Sequence, residues 1–588
     1  MKLIKTINIL LILALFAGCN DDYLERFPQT SITEKNFFSN VEDLKTYSYQ
    51  FYDYINPTYW DRPSDNTTIH KGSIRTLMLG SVNADNIGGW SWGQLRTINY
   101  FLDNYKQAEG FTEEIEKYGA MGRFARARFY IGKVKTYSDV PWYSHVINTD
   151  DEEQLYKARD TREMVVDSLI ADLEFATQHL TEESSKVMLS KWAAYTELAR
   201  FCLYEGTYRK YHTGESDLHV TKGAEYFLNK AADAAQAVMA SGSFSLSTEG
   251  GLGEAYGNLF NGGTPLHSNP EIIMFKEYED DKKEHGAELV LDFENGISRS
   301  MADSYLYTDG SFVPKAVTDT MQIQNVFTDR DPRMKQSIMS PGYIVPNQNI
   351  AYKLPIGKTG GYGQIKYMPK EADTHWDGYM TVHTDLPIYR YAEVLLISAE
   401  AKAELGQLTQ ADLDNTVNLL RDRVGMGHLT MNPAVDPLLE SLHPNITSSQ
   451  KAELLEIRRE RRVELFAEGL RYDDMMRWKQ GKTFEKPQQG IYIPSTGLLD
   501  ITGDGVADYF ISDDGSNEPA DLPAGVTKLI SSSDDSPIYL ENGKSGHVMF
   551  KLERTNIGTF IEPKHYYRPV PSSEILLNSS LEQIFGWN

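Results

Sequence analysis

Residues 391–424 read YAEVLLISAEAKAELGQLTQADLDNTVNLLRDRV. Tyr391, Val394, Leu395 and Ser398 fall on one face of a 3.6-residue period. The run ends at Gly406, and Leu413, Val417 and Leu420 restart it as a second helix. The block spans 34 residues, the length of a tetratricopeptide helix pair. Such a pair cannot bury its apolar face alone, so it predicts neighbours of the same build.

Those neighbours are legible upstream. Ala120, Phe124, Ala127, Ile131 and Val134 form one stripe, and Phe227, Leu228, Ala231, Ala235 and Val238 form another. Helix, turn and helix recur between Trp192 and Met239, with a longer insertion at 210–220. From Gly242 to Leu386 the period dissolves into Gly, Asn, Pro and Asp clusters around short apolar runs such as Ile272-Ile273-Met274-Phe275, and residues 482–545 are again polar and rich in Gly and Asp. The expected fold is mainly α: tetratricopeptide-like helix pairs as scaffold, with a loop-rich lobe holding a few short strands. The expected organisation is a signal peptide over 1–18, an N-terminal helical region over 19–241 and a C-terminal region over 242–588.

The amino terminus has Lys2 and Lys5, an apolar run over Ile9–Ala17 and then Gly18-Cys19. That is a secretory signal, far short of the roughly 20 apolar residues that span a bilayer. Cys19, directly after small residues, is where lipoprotein processing acylates; the alternative is an ordinary secretory signal that happens to adjoin a cysteine. Cys202 is the only other cysteine and lies on a helical stripe with Trp192, Tyr195 and Ala199, so it reads as a small core residue. The net charge is −25, and removal of Lys2 and Lys5 makes it two units more negative. A polyanion repels phosphate backbones, which argues against nucleic acid as a partner.

Several stretches invite a chemical reading. Gly89-Trp90-Ser91-Trp92-Gly93 matches G-x-S-x-G, but a nucleophile elbow needs a strand feeding a helix, and the preceding 83–88 is loop-like. No zincin pattern, phosphate loop or dinucleotide fingerprint occurs, and no cofactor is required. Asp500, Thr502, Asp504 and Asp508, spaced by Gly503 and Gly505, resemble a calcium loop, yet Ile511 holds the place of its bidentate Glu. A structural Ca²⁺ and a solvated Asp/Gly turn both fit. Glu456, Glu460, Glu464 and Glu468 recur every fourth residue, and Glu456 to Arg459, Arg461 to Glu464 and Glu468 to Arg471 stand three apart, predicting an ion-pair lattice between helices rather than catalysis. Aromatic residues cluster in loops: Tyr59 and Trp60, Trp90 and Trp92, Trp376 and Tyr379. Sugar C–H faces stack on such rings while nearby polar groups bind hydroxyls. Of Trp90 and Trp92, one is expected to pack on the scaffold and the other to face solvent.

In order along the chain, several motifs resemble the SusD/RagB family. They include Cys19-Asn20-Asp21-Asp22-Tyr23-Leu24, Arg123-Phe124-Ala125-Arg126-Ala127 leading to Tyr137-Ser138-Asp139-Val140-Pro141, and Asn269-Pro270-Glu271. Arg330-Asp331-Pro332-Arg333, Pro387-Ile388-Tyr389-Arg390-Tyr391, Asn418 to Gly425, Glu460 to Arg471 with Asp473, Pro569-Val570-Pro571 and Phe585-Gly586-Trp587 continue the likeness. The resemblance implies a lipid-anchored outer-membrane protein, exposed at the cell surface, that binds nutrient ligands and sits as a lid on a SusC-like TonB-dependent transporter. The implied function is capture of oligosaccharide, not an enzymatic one. Capture of peptide, as in a RagB-like binder, and a glycoside hydrolase using two of the many carboxylates are the alternatives. The family also places its ligand-stacking aromatics on N-terminal and mid-chain loops, which here correspond to Trp90, Trp92 and Trp376.

Overall fold

The computed structural model describes residues 38–68, 74–279, 283–287, 296–346, 348–370 and 381–587. Cys19, Trp376 and Tyr379 lie outside the described residues.

The scaffold is a series of helices, each packed on the next. They are α1 (Val41–Ser48), α2 (Gly93–Asn104), α3 (Thr112–Tyr137), α4 (Arg162–His179), α5 (Lys191–Tyr211) and α6 (Ala224–Ala240), continued by α7 (Tyr391–Leu405), α8 (Val417–Val424), α9 (Lys451–Glu464) and α10 (Arg471–Arg477). α1 and α2 lie on α3, α3 on α4, α4 on α5, α5 on α6, α6 on α7, and α7 on α9. The starts carry their own stop signals. Asn40 and Asp43 form a capping box on α1, and the hydroxyls of Thr161 and Ser190 accept from Met164 and Ala193 amides at the starts of α4 and α5. Gly406 ends α7 at φ 70°, a left-handed position that a side chain would strain.

The stripes read from sequence are buried, including Phe124, Val134, Phe227 and Val238, and Cys202 is fully enclosed among them, its thiol pKa raised by burial. The main core runs from Phe38 through α6 and continues into α7, α9 and Val570. Helices from both sides of residue 242 therefore share one interior. The second helix of the 391–424 block is broken: Gln410–Asp414 forms one short turn, Thr416 leaves helical geometry at ψ −91°, and α8 begins at Val417.

Three small sheets make the second lobe. β1 (Ile272–Lys276) pairs antiparallel with β2 (Leu386–Arg390), which delivers the chain into α7. β3 (Gln489–Ile493), β8 (Gly546–Phe550) and β7 (Ile538–Leu540) form one three-stranded sheet. β4 (Gly497–Leu499), β5 (Tyr509–Ser512) and β6 (Thr527–Ile530) form the other. The polar stretch 482–545 thus holds strands as well as turns. A second core cluster, with Tyr256, Phe260, Tyr305, Ile491 and Phe550, binds these sheets to the end of α9.

Charge joins the two lobes. Glu464 takes Arg390 at 2.6 Å, Arg423 at 2.6 Å and Arg333 at 2.8 Å. Arg390 and Arg423 also share Glu271, at 2.9 and 3.1 Å, while Arg390 reaches Glu468 and Arg333 reaches Asp331 and Glu460. The surrounding guanidiniums hold the Glu464 carboxyl well below the usual range despite the opposing effect of burial. The lattice is tertiary rather than local. Only Glu456 to Arg459 (3.3 Å) forms of the three pairs expected along the helix; Arg461 turns to Asp474 and Arg471 to Asp65. Partners on other elements satisfy both oxygens of a carboxylate at once, which an i,i+3 neighbour does not.

Candidate ligand-binding site

Trp90 and Trp92 precede α2 in a turn that Gly89 makes possible. Gly89 has φ 103°, and a Cβ there would meet the Tyr137 hydroxyl at 3.1 Å. Trp90 is 9 % exposed and stands edge-on to Tyr137 (4.9 Å) and to Trp92 (5.4 Å). Trp92, half-buried at the N-cap of α2, continues to Tyr143 (5.3 Å) and Phe129 (5.7 Å). The two indoles do not point to opposite sides, because the segment is a turn into a helix and not an extended strand. Both line one cleft of about 380 Å³.

Beneath them the Lys133 ammonium lies 4.8 Å from the Trp92 ring centre and donates to the Gly89 carbonyl at 3.0 Å. Burial lowers its pKa to about 8. It ties the turn to α3 and occupies one approach to the rings. The opposite walls come from Tyr143, His145, Tyr156 and Leu577, with Arg96 and Asn99 from α2. Asn99 donates to the carbonyls of Tyr143 (2.8 Å) and His145 (3.2 Å), and its own Oδ1 is buried without a partner. His145 Nδ1 meets Asp103 at 2.6 Å. Burial lifts the Tyr143 phenol to about 12, so it stays a neutral donor. The arrangement offers aromatic rings and neutral hydroxyls. Ser91 is exposed, no strand precedes it, and the elbow reading of Gly89 to Gly93 has no structural basis.

A second aromatic group surrounds Tyr59 and Trp60, whose rings lie 4.8 Å apart. Tyr59 reaches His285 at 5.5 Å, His285 reaches Tyr278 at 4.6 Å, and the Arg62 guanidinium sits 5.1 Å from the Trp60 ring. The loop is pinned by Asp61, which accepts from the amides of Ala467 (2.7 Å) and Gly469 (3.0 Å). His285 donates from Nε2 to the Thr384 carbonyl and accepts at Nδ1 from the Ala287 amide; burial takes its pKa down to about 4, so the ring is neutral. Val382, just beyond the segment carrying Trp376 and Tyr379, exchanges two backbone hydrogen bonds with His285 at 2.8 and 3.1 Å. Sequence reasoning missed Tyr143, His145, Tyr278 and His285, which carry no periodic or motif signal.

The Asp500 loop does not assemble a metal site. Asp508 accepts from the amides of Ile501 and Thr502 and from the Thr502 hydroxyl, Asp500 from the amides of Gly503 and Gly505, and Asp504 from that of Val506. The carboxylates cap their own turn instead of converging on a cation. Among the described residues no group of three or more His, Cys, Asp or Glu could hold a metal ion.

Residues 270–587 match the model of the SusD family. The chain belongs to the SusD family. Residues 20–203 match a second model, described as starch-binding associating with outer membrane. SusD-like protein P38 of Formosa agariphila is 23% identical over 547 residues, covering 84% of this chain and 95% of the relative. SusD-like protein P2 of the same organism is 23% identical over 82% of this chain and 92% of its own length. Among solved structures, a SusD-like protein of Bacteroides fragilis superposes with TM-score 0.66 at 20% identity, covering 95% of this chain and all of that one. A SusD-like carbohydrate binding protein from the same species gives TM-score 0.64 at 18% identity, covering 93% of this chain and all of the other. These structures share the SusD fold of helical, tetratricopeptide-like pairs.

Proposed function

We propose that this SusD-family chain is a cell-surface lipoprotein, anchored through Cys19, that captures oligosaccharide and passes it to a TonB-dependent outer-membrane transporter. The observation that carries the reading is the Trp90–Trp92–Tyr143 cleft, where edge-on aromatic rings and neutral hydroxyls line one space of about 380 Å³. The name of the Bacteroides fragilis carbohydrate binding protein supports it, as does the outer-membrane description of the second family model. Hand-over to a transporter rests on the family alone. Tyr59, Trp60 and Tyr278 offer a further ring surface to the same ligand class.

Affinity electrophoresis in gels cast with candidate glycans tests the cleft. A stacked ring contributes roughly 0.5–1.5 kcal/mol beyond its buried area, so Trp92→Ala should weaken retention by about two- to tenfold with the melting temperature preserved. Undiminished retention by Trp92→Ala, together with loss in Trp60→Ala, would move the site to the Tyr59 group; chain cleavage of the glycan would overturn the binder reading altogether.

A further inference from the structure

α3 carries a buried charge beneath the two indoles. Phe129, Lys133 and Tyr137 recur every fourth residue of this helix and so share one face, and the turn bearing Trp90 and Trp92 folds down on that face. The Lys133 ammonium lies 4.8 Å from the Trp92 ring centre, 5.3 Å from that of Phe129, 5.7 Å from Tyr137 and 5.8 Å from Trp90. Among the described residues its one hydrogen bond goes to the Gly89 carbonyl at 3.0 Å, and it forms no ion pair. Taking an ammonium out of water without a countercharge is costly; here four rings and one carbonyl stand in for the countercharge. That carbonyl belongs to the residue whose φ of 103° makes the turn, so the contact that stabilises the charge also pins the turn where it is made.

The titratable groups on the surrounding elements do not supply that countercharge. Burial raises Tyr130 and Tyr137 on α3, with Arg568 opposing the rise at Tyr137, and takes Tyr143 to about 12, so the phenols stay neutral. Arg96 on α2 donates to the Ile147 carbonyl at 3.0 Å. The nearby acids are engaged elsewhere: Asp103 with His145 at 2.6 Å, Asp160 with Lys157 at 2.6 Å, Asp473 with Lys135 at 2.7 Å and Asp85 with the Ser572 hydroxyl at 2.7 Å. Glu574 lines the cleft without pairing to Lys133. Burial therefore acts on Lys133 unopposed, and its pKa falls from the usual lysine range to about 8. Below that value the side chain is charged; as pH rises through it the attraction to the rings is lost and the bond to Gly89 becomes a neutral, weaker one.

We propose that Lys133 is the positioning residue of the cleft: its ammonium latches the Gly89 to Trp92 turn onto α3 and holds the two indoles edge-on, and loss of the charge loosens the pair. The effect on capture rests on the glycan reading of the cleft; the latch itself does not. Circular dichroism tests the latch without a ligand. Two indoles 5.4 Å apart couple as an exciton pair, read in the far ultraviolet as the difference between the wild type and Trp90→Phe. The couplet should be strong at neutral pH, collapse with a midpoint near pH 8, and be weak at every pH in Lys133→Met, with helix content unchanged. In gels cast with soluble starch, xylan or pectin, a glycan that retains the wild type at neutral pH should retain it about two- to thirtyfold more weakly in mild alkali, and Lys133→Met weakly at both. A couplet indifferent to pH in the wild type, or one that persists in folded Lys133→Met, overturns the latch whichever glycan binds; the wild-type titration decides alone if Lys133→Met does not fold. A couplet that titrates while retention stays constant, or while no glycan is retained, upholds the latch and counts against the glycan reading instead.

Discussion

Glu464→Gln removes one negative charge from the centre of the buried lattice while keeping the side chain's shape. In the wild type its two oxygens accept from Arg390, Arg423 and Arg333 at 2.6, 2.6 and 2.8 Å, and the side chain is fully buried. After the change Arg423 keeps Glu271, Arg390 keeps Glu271 and Glu468, and Arg333 keeps Asp331 and Glu460. The lattice is left one positive charge in excess, with an amide N–H₂ facing guanidinium donors. Breaking a buried pair on one side costs about 3–5 kcal/mol. At about 2.1 cal/mol/K per residue, the roughly 500 described residues unfold with about 1.1 kcal/mol/K, so the melting temperature should fall by roughly 3–5 °C at neutral pH. Glu456→Gln is the comparison, since Glu456 meets Arg459 only at 3.3 Å and burial already raises its pKa; it should fall much less. The pH dependence has a definite sign. A carboxyl with its pKa depressed in the fold adds stability above its unfolded value of about 4.3, and that contribution fades as pH falls through the folded value. The gap between wild type and Glu464→Gln should therefore close in acid. Calorimetric melts across pH would refute the reasoning if Glu464→Gln melted within about 1 °C of wild type at neutral pH, or if the gap widened on acidification.

Glu553 should show the opposite sign: burial raises its carboxyl to about 7 even with Arg75 at 2.8 Å, so its contribution is lost as pH rises through 7. Glu553→Gln should gain on wild type between pH 5 and 8 in the same melts, and a constant difference would refute this. Because the Asp500, Asp504 and Asp508 carboxylates serve their own loop's amides, added Ca²⁺ or chelator should leave the melting temperature unmoved; a rise with Ca²⁺ that Asp508→Asn abolishes would reinstate a cation. Cys19→Ala should release folded protein from membranes into the soluble fraction, and retention there would remove the anchor.

The helical scaffold was readable because burying one face of a helix imposes a period that survives in a single sequence. Phe124, Phe227 and Leu395 sit in the core where the stripes put them. Aromatic loops were visible as composition, but their use was not. Trp90 and Trp92 were expected to diverge and instead share a cleft with Tyr143, some fifty residues on, since a loop's side chains are aimed by what it packs against and leave no period to read. The Asp500 spacing suited a cation until hydrogen bonding showed each carboxylate occupied locally.

The amino-acid sequence by itself determined the helix pairs, the family likeness and the existence of an ion-pair network around 456–471. Only the tertiary structure decided what that network joins. Glu271, Asp331 with Arg333, Arg390, Arg423, and Glu464 with Glu468 come from five motifs spread along the chain, yet meet in one buried lattice. Hydrophobic periodicity is a local constraint that each helix must satisfy on its own, whereas a buried charge must be paired by whatever the completed fold brings within about 3 Å of it.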